Sequence, residues 1–131
     1  MLRAQQALKQ YSSVESSSKA YCGSAYDLTK MLFSGCLKSL TLTTFHIKHK
    51  NYAGKATELS RSLAIINGLQ DCLDLENGGD LAQNLDALYR YIGKTLLESS
   101  VSNDIGRIEH VHELLKEVSL GWEAMPIESR R

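Results

Sequence analysis

The chain has 131 residues, 43% of them hydrophobic, with fifteen basic side chains against fifteen acidic ones. That length builds one core of ordinary size. A net charge of zero, with no Lys/Arg cluster beyond Arg130-Arg131, argues against DNA or RNA as a partner, because such binding needs a basic surface to displace counterions.

Residues 1–23 are polar and loosely patterned, and "SSVESSSK" (12–19) is rich in serine, which reads as a leader without a core of its own. Tyr11 and Tyr21 are the exceptions, each an aromatic anchor able to dock on the body. From Ser24, a candidate N-cap with Asp27 three residues on, Leu28, Met31, Leu32, Cys36, Leu37, Leu40 and Ile47 recur at helical spacing. A second helix is expected from about Tyr52, carrying Leu59, Leu63, Ile66 and Leu73 on one face and Ile65, Leu69 and Cys72 in a neighbouring row.

Asn77-Gly78-Gly79 then breaks the chain, since glycine reaches positive φ without strain. The third helix is expected from near Asp80, an acid suited to the positive end of the helix dipole, with a stripe of Leu81, Leu85, Leu88, Ile92 and Leu96. "SSVSND" (99–104) reads as the next turn, with Ser102 or Asn103 as the cap, and the fourth helix carries Ile105, Ile108, Val111, Leu115, Val118 and Trp122. Pro126 marks the stop.

The pattern predicts an all-α chain, an antiparallel up-down four-helix bundle over 24–124. It is preceded by a short polar segment (1–23) able to dock on the bundle and followed by a tail (125–131). The second helix, with two apolar rows, and the third, where Tyr89 and Tyr91 flank the stripe, carry more apolar surface than a bundle helix normally spends on its core. The surplus can pack on the chain's own leader, on a second copy of the chain, or on a partner helix.

Chemistry is hard to find. His46 and His49 lie three apart and His110 and His112 flank Val111, but a zinc site wants three or four converging ligands. Cys22, Cys36 and Cys72 are widely separated, with no Cys-x-x-Cys pair, and read as reduced thiols of a cytosolic protein; Cys36 and Cys72 sit on apolar rows like small core hydrophobes. No second Glu-x-x-His motif accompanies the histidines, and the Gly78-Gly79 turn has neither the lysine nor the strand of a phosphate loop. The expectation is therefore a protein with no catalytic residues, no metal, no cofactor and no membrane span.

Several stretches resemble a known family, the flagellin export chaperones of the FliS type. "SAYDLTKMLFSGCLKSL" (24–40) is similar to the family's opening helix, and "AIINGLQDCLDLENGGDLAQNLDALYRYI" (64–92) to its most specific stretch. "ND" (103–104) and "LLKEVSLGWEAMP" (114–126) resemble the last helix, and "YSSVE" (11–15) the N-terminal tyrosine segment. Ala25 stands where the family usually has proline, and Phe33-Ser34 where it has Tyr-Asp.

The resemblance implies an antiparallel helical bundle in the bacterial cytosol that binds the disordered C-terminal segment of flagellin. Holding it prevents premature polymerisation and keeps it ready for flagellar type III export. Tyr11 would take the part of the lid. Ile65 and Leu69 on the second helix, and Leu88, Tyr89 and Ile92 on the third, are the expected groove residues, with Asn84 a hydrogen-bond partner for a backbone group of the client or of the preceding loop. The flagellar export apparatus is a further implied partner; the competing reading is a regulatory or structural bundle that binds an anti-sigma factor, a co-chaperone or itself.

Overall fold

A computed structural model of the protein describes residues 25–125. Ser24, Tyr11 and Tyr21, the rest of the leader and most of the tail lie outside them. The described chain forms four helices, α1 (Ala25–Lys48), α2 (Tyr52–Asp71), α3 (Gly79–Ser102) and α4 (Ile105–Glu123), with no strand among the described residues.

Each connection is closed by its own chemistry. Lys50 takes a left-handed conformation (φ 55°), and Asn51 then caps α2 by accepting the Gly54 N–H on Oδ1 at 3.0 Å. A Cβ on Gly54 would fall 2.7 Å from Nδ1 of His46 and 2.8 Å from Nδ2 of Asn51, so a side chain there would push both aside. Between α2 and α3 the two glycines serve different ends. Gly79 supplies positive φ (63°), whereas Gly78 admits the backbone itself, since a Cβ would sit 2.5 Å from the Asp74 carbonyl oxygen.

At the last turn the structure corrects the expected cap. Asn103 ends α3 in the left-handed conformation (φ 53°), and Asp104, rather than Ser102 or Asn103, caps α4 by accepting the Arg107 N–H at 3.2 Å. Asn tolerates the left-handed region and the shorter-reaching carboxylate suits the N-terminal dipole, so "ND" divides the two tasks between neighbours.

Cross-links between helix ends show the antiparallel order. Tyr26 at the start of α1 meets Trp122 and Glu123 at the end of α4. Lys55 at the start of α2 donates to Ser100 O (2.8 Å) and Asn103 Oδ1 (2.5 Å) at the end of α3, and Gln70 near the end of α2 donates to Asp86 near the start of α3 (3.2 Å). Thus α1 packs between α2 and α4, and α3 closes the ring opposite it.

The core joins Leu32, Phe33, Cys36 and Leu40 of α1 to Ile65, Ile66 and Leu69 of α2, Tyr89, Ile92 and Leu96 of α3, and Ile108, Val111 and Leu115 of α4. Full burial of one such side chain contributes about 1.5–3 kcal/mol. Buried hydroxyls complete it, each turned back onto its own helix: Thr43 donates to Ser39 O (2.8 Å), Ser62 to Glu58 O (3.0 Å) and Ser99 to Thr95 O (2.6 Å). Such back-bonding satisfies the hydroxyl without any partner on a neighbouring helix.

Candidate functional site

Four of the six expected groove residues are not at the surface. Ile65, Leu69, Tyr89 and Ile92 are all sealed in the core. The reason is geometric: α2 lies between α1 and α3, so it packs on two neighbours and both of its rows are covered. Tyr89 turns inward on α3 for the same reason, and burial, followed by the nearby Cys72 and Cys36, drives its phenol well above the ordinary tyrosine value. Leu88 is half-buried and Asn84 is exposed, and these two share a face.

That face belongs to a row on the flank of α3 turned towards α4. Glu98 fixes its direction by accepting from Arg107 of α4 at 2.8 Å. Counting back at alternating steps of three and four from Glu98 gives Thr95, Tyr91, Leu88, Asn84 and Leu81. Leu81 leaves 58% of its surface exposed and Tyr91 48%, large fractions for side chains of that size. On α4 the matching row from Arg107 runs through Leu114, Val118 and Gly121; Leu114 and Val118 are half-buried, and a Cβ on Gly121 would touch nothing within 4 Å. The two rows together form a partly exposed apolar flank along the α3–α4 seam, with Gly121 near one end and the Asn84 amide part-way along.

The sequence stripe missed this because it followed Leu81, Leu85, Leu88 and Ile92 as one face. What sets this flank apart from the core is the three-four-three spacing of Leu81, Asn84, Leu88 and Tyr91.

The other polar features are occupied structurally. Asp86 binds Arg90, whose hydrogen bond holds its carboxyl below the ordinary range against the opposing effect of burial, with Gln70 assisting. His46 shares a hydrogen bond with Asn51 (3.3 Å), and His49 lies against the Phe45 ring with centroids 4.2 Å apart. His112 lines a cleft between α1 and α4 together with Lys48, Glu109 and Glu113. Among the described residues no three metal-ligating side chains stand together. Cys36 is fully buried with its thiol pushed up to about 12 by desolvation, so it is a poor nucleophile; burial also raises the half-exposed Cys72. What the α3–α4 flank presents is exposed and half-buried apolar side chains beside one side-chain amide.

Comparison with known proteins points to one family. Residues 4–129 match the family described as Flagellar protein FliS. The chain is 34% identical to the flagellar secretion chaperone FliSB of Pseudomonas aeruginosa over 122 residues, 93% of this chain and 97% of the relative. It is likewise 34% identical to the flagellar secretion chaperones FliS of Escherichia coli, over 86% of this chain and 84% of the relative, and of Salmonella typhimurium, over 88% and 87%. A helical bundle with an uncovered apolar flank and a family match over nearly its whole length define the class of the protein. The chain belongs to the FliS family. No helix among the described residues is long and apolar enough to cross a membrane.

Proposed function

We propose that this chain is a cytosolic flagellar export chaperone that binds the disordered C-terminal segment of flagellin, prevents its premature polymerisation and keeps it competent for flagellar type III secretion. The observation that carries the reading is the apolar α3–α4 flank, where Leu81 and Tyr91 stand exposed beside half-buried Leu88, Leu114 and Val118. The name of its relatives supports the class of activity. Along that flank Leu88 is proposed as an apolar anchor and Asn84 as a hydrogen-bond partner for the client's backbone. Ile65, Leu69, Tyr89 and Ile92 support the walls from within the core.

Ordering a disordered client consumes roughly 2–5 kcal/mol or more of the gross interaction energy. Several apolar side chains at about 1.5–3 kcal/mol each offset that, so a reversible complex needs no nucleotide hydrolysis. Tyr11, outside the described residues, is proposed as a lid that competes with the client. The test is titration with a peptide of flagellin's C-terminal segment, followed by circular dichroism. A helical signal beyond the sum of the parts, abolished by Leu88→Asp, is expected; absence of binding overturns the reading.

A further inference from the structure

The connection between α1 and α2 holds a short hydrogen-bond chain whose polarity is set at one end by the backbone. Gly54 can only donate its N–H, and Asn51 receives it on Oδ1 at 3.0 Å as the cap of α2. With Oδ1 committed, the part of the amide that meets His46 is Nδ2, 3.3 Å from Nδ1 of the ring. Nδ2 carries only donors, so Nδ1 of His46 accepts and the imidazole is neutral, with its proton on Nε2. The backbone fixes the amide, and the amide fixes the tautomer.

A proton added to His46 has no place in this chain. Nδ1–H would then point at the Nδ2 donors, and two donors cannot share one contact. The amide must either part from the ring or turn Oδ1 towards it, and turning strips the cap from the Gly54 N–H. The backbone leaves no slack, because the Asn51 N–H also donates to the His46 carbonyl at 2.8 Å, and ring and amide both crowd the space a Cβ on Gly54 would fill. His49 behaves in the opposite way. Its Nδ1 lies 2.9 Å from the Phe45 carbonyl oxygen, an acceptor, so that nitrogen already carries a proton and a second one at Nε2 breaks nothing.

The charges around His46 are cationic or already matched. Its own helix end and the connection carry Lys48, His49 and Lys50, and α2 brings Lys55 and no acid in its first turn. Glu58, one turn beyond Gly54 on the same face of α2, is paired with Arg61 at 3.0 Å. Glu109, His112 and Glu113 of α4 face the other flank of α1, where they line a cleft with Thr41, Thr44 and Lys48. The last carbonyls of α1 attract a cation and the first N–H groups of α2 repel one, and neither restores the contact with Asn51.

We propose that His46 and Asn51 form an acid-released latch on the first turn of α2. The neutral imidazole keeps the Asn51 amide turned to cap the helix, and protonation withdraws the cap. That turn also carries Lys55, which donates to Ser100 O and Asn103 Oδ1 at the end of α3, so releasing the latch loosens the tie between α2 and α3.

The experiment follows the Gly54 amide and the His46 ring by NMR in the full chain between about pH 8 and 5, the interval over which an imidazole takes up its proton. The Gly54 amide shift should move with the same midpoint as the His46 ring. Its exchange protection should fall by about threefold or more, the lower end of what losing a cap costs. His46→Gln presents an acceptor throughout the interval, so Gly54 should stay protected, and His49→Gln should leave the parent response intact. Asn51→Asp should reverse the response, because a carboxylate accepts from Gly54 and from a protonated ring at once. A Gly54 amide that ignores His46 protonation, or that loses protection equally in His46→Gln, overturns the latch. Loss of the response in His49→Gln, or an unreversed one in Asn51→Asp, overturns it as well.

Discussion

Tyr26 and Trp122 hold each other in two ways. Their rings stack at 5.7 Å with 14° between planes, and the Trp122 indole N–H donates to the Tyr26 carbonyl at 3.2 Å. The Tyr26 hydroxyl returns a bond to Glu123 O, also at 3.2 Å, and Phe33 meets the indole edge-on. Together they tie the first turn of α1 to the last turn of α4. Trp122→Phe removes the donor while keeping a ring, and should lower unfolding stability by about 1–2 kcal/mol in urea titrations. A change under 0.5 kcal/mol would mean the clamp is incidental.

Two glycines should respond to alanine with opposite signs. At Gly54 the new methyl would press on the ends of the His46 and Asn51 side chains and disturb the Asn51 cap, so Gly54→Ala should destabilise by up to about 1 kcal/mol despite the better helix propensity. At Gly93 the space is open, and Gly93→Ala should stabilise by up to about 1 kcal/mol. Thermal melts of both variants against the parent decide the pair.

Stability should fall on both sides of neutral pH. Asp86, held down by Arg90, and Asp74, held down by Asn77, have folded values below the ordinary carboxylate value. Their contribution is present above about pH 4 and is lost as pH drops through the folded values. On the alkaline side Cys36 keeps its proton up to about 12 when folded, whereas the unfolded thiol ionises near 8.5. Stability is therefore unaffected below the unfolded value and declines as pH rises towards 12, by up to about 1.4 kcal/mol per pH unit for this group. Urea midpoints from pH 7 to 10 check it; Cys36→Ala should flatten the alkaline slope.

Binding and stability should separate along α3. Leu81→Asp and Tyr91→Asp alter exposed positions and should leave stability within about 0.5 kcal/mol while weakening the flagellin peptide tenfold or more. Ile92→Ala, in the sealed core, should cost about 2–5 kcal/mol. Calorimetric titration of the folded variants tests the division.

The thiols should differ in reactivity. Cys72 is half-buried at the end of α2 and should react with iodoacetamide well before Cys36, which is fully enclosed; peptide mapping of the labelled native protein reads the order.

The four helices were legible because periodic leucines and isoleucines are separated by short runs of Asn, Gly and Ser, and most boundaries fall within a residue or two of those runs. The direction each row faces was not legible. Ile65 and Leu69 looked like surplus because a wide apolar face on α2 exceeds one seam, yet a helix flanked by two neighbours covers a wide face. The hydroxyls hid the rest: Thr43, Ser62 and Ser99 read as polar in sequence but fill interior positions, so the true core was larger than the apolar residues suggested. Asn84 is exposed and Leu88 half-buried, three and seven residues after Leu81 on the flank turned towards α4.

Those interior hydroxyls bear on how the bundle can move. Thr43, Ser62 and Ser99 each bond along their own helix, so none of these three bonds crosses a seam in the middle of the molecule. A small lateral slide of one rod past its neighbour would therefore disturb shape complementarity but orphan none of these donors. Shear of that kind is the low-barrier deformation open to this scaffold, resisted chiefly by the polar ties at its two ends.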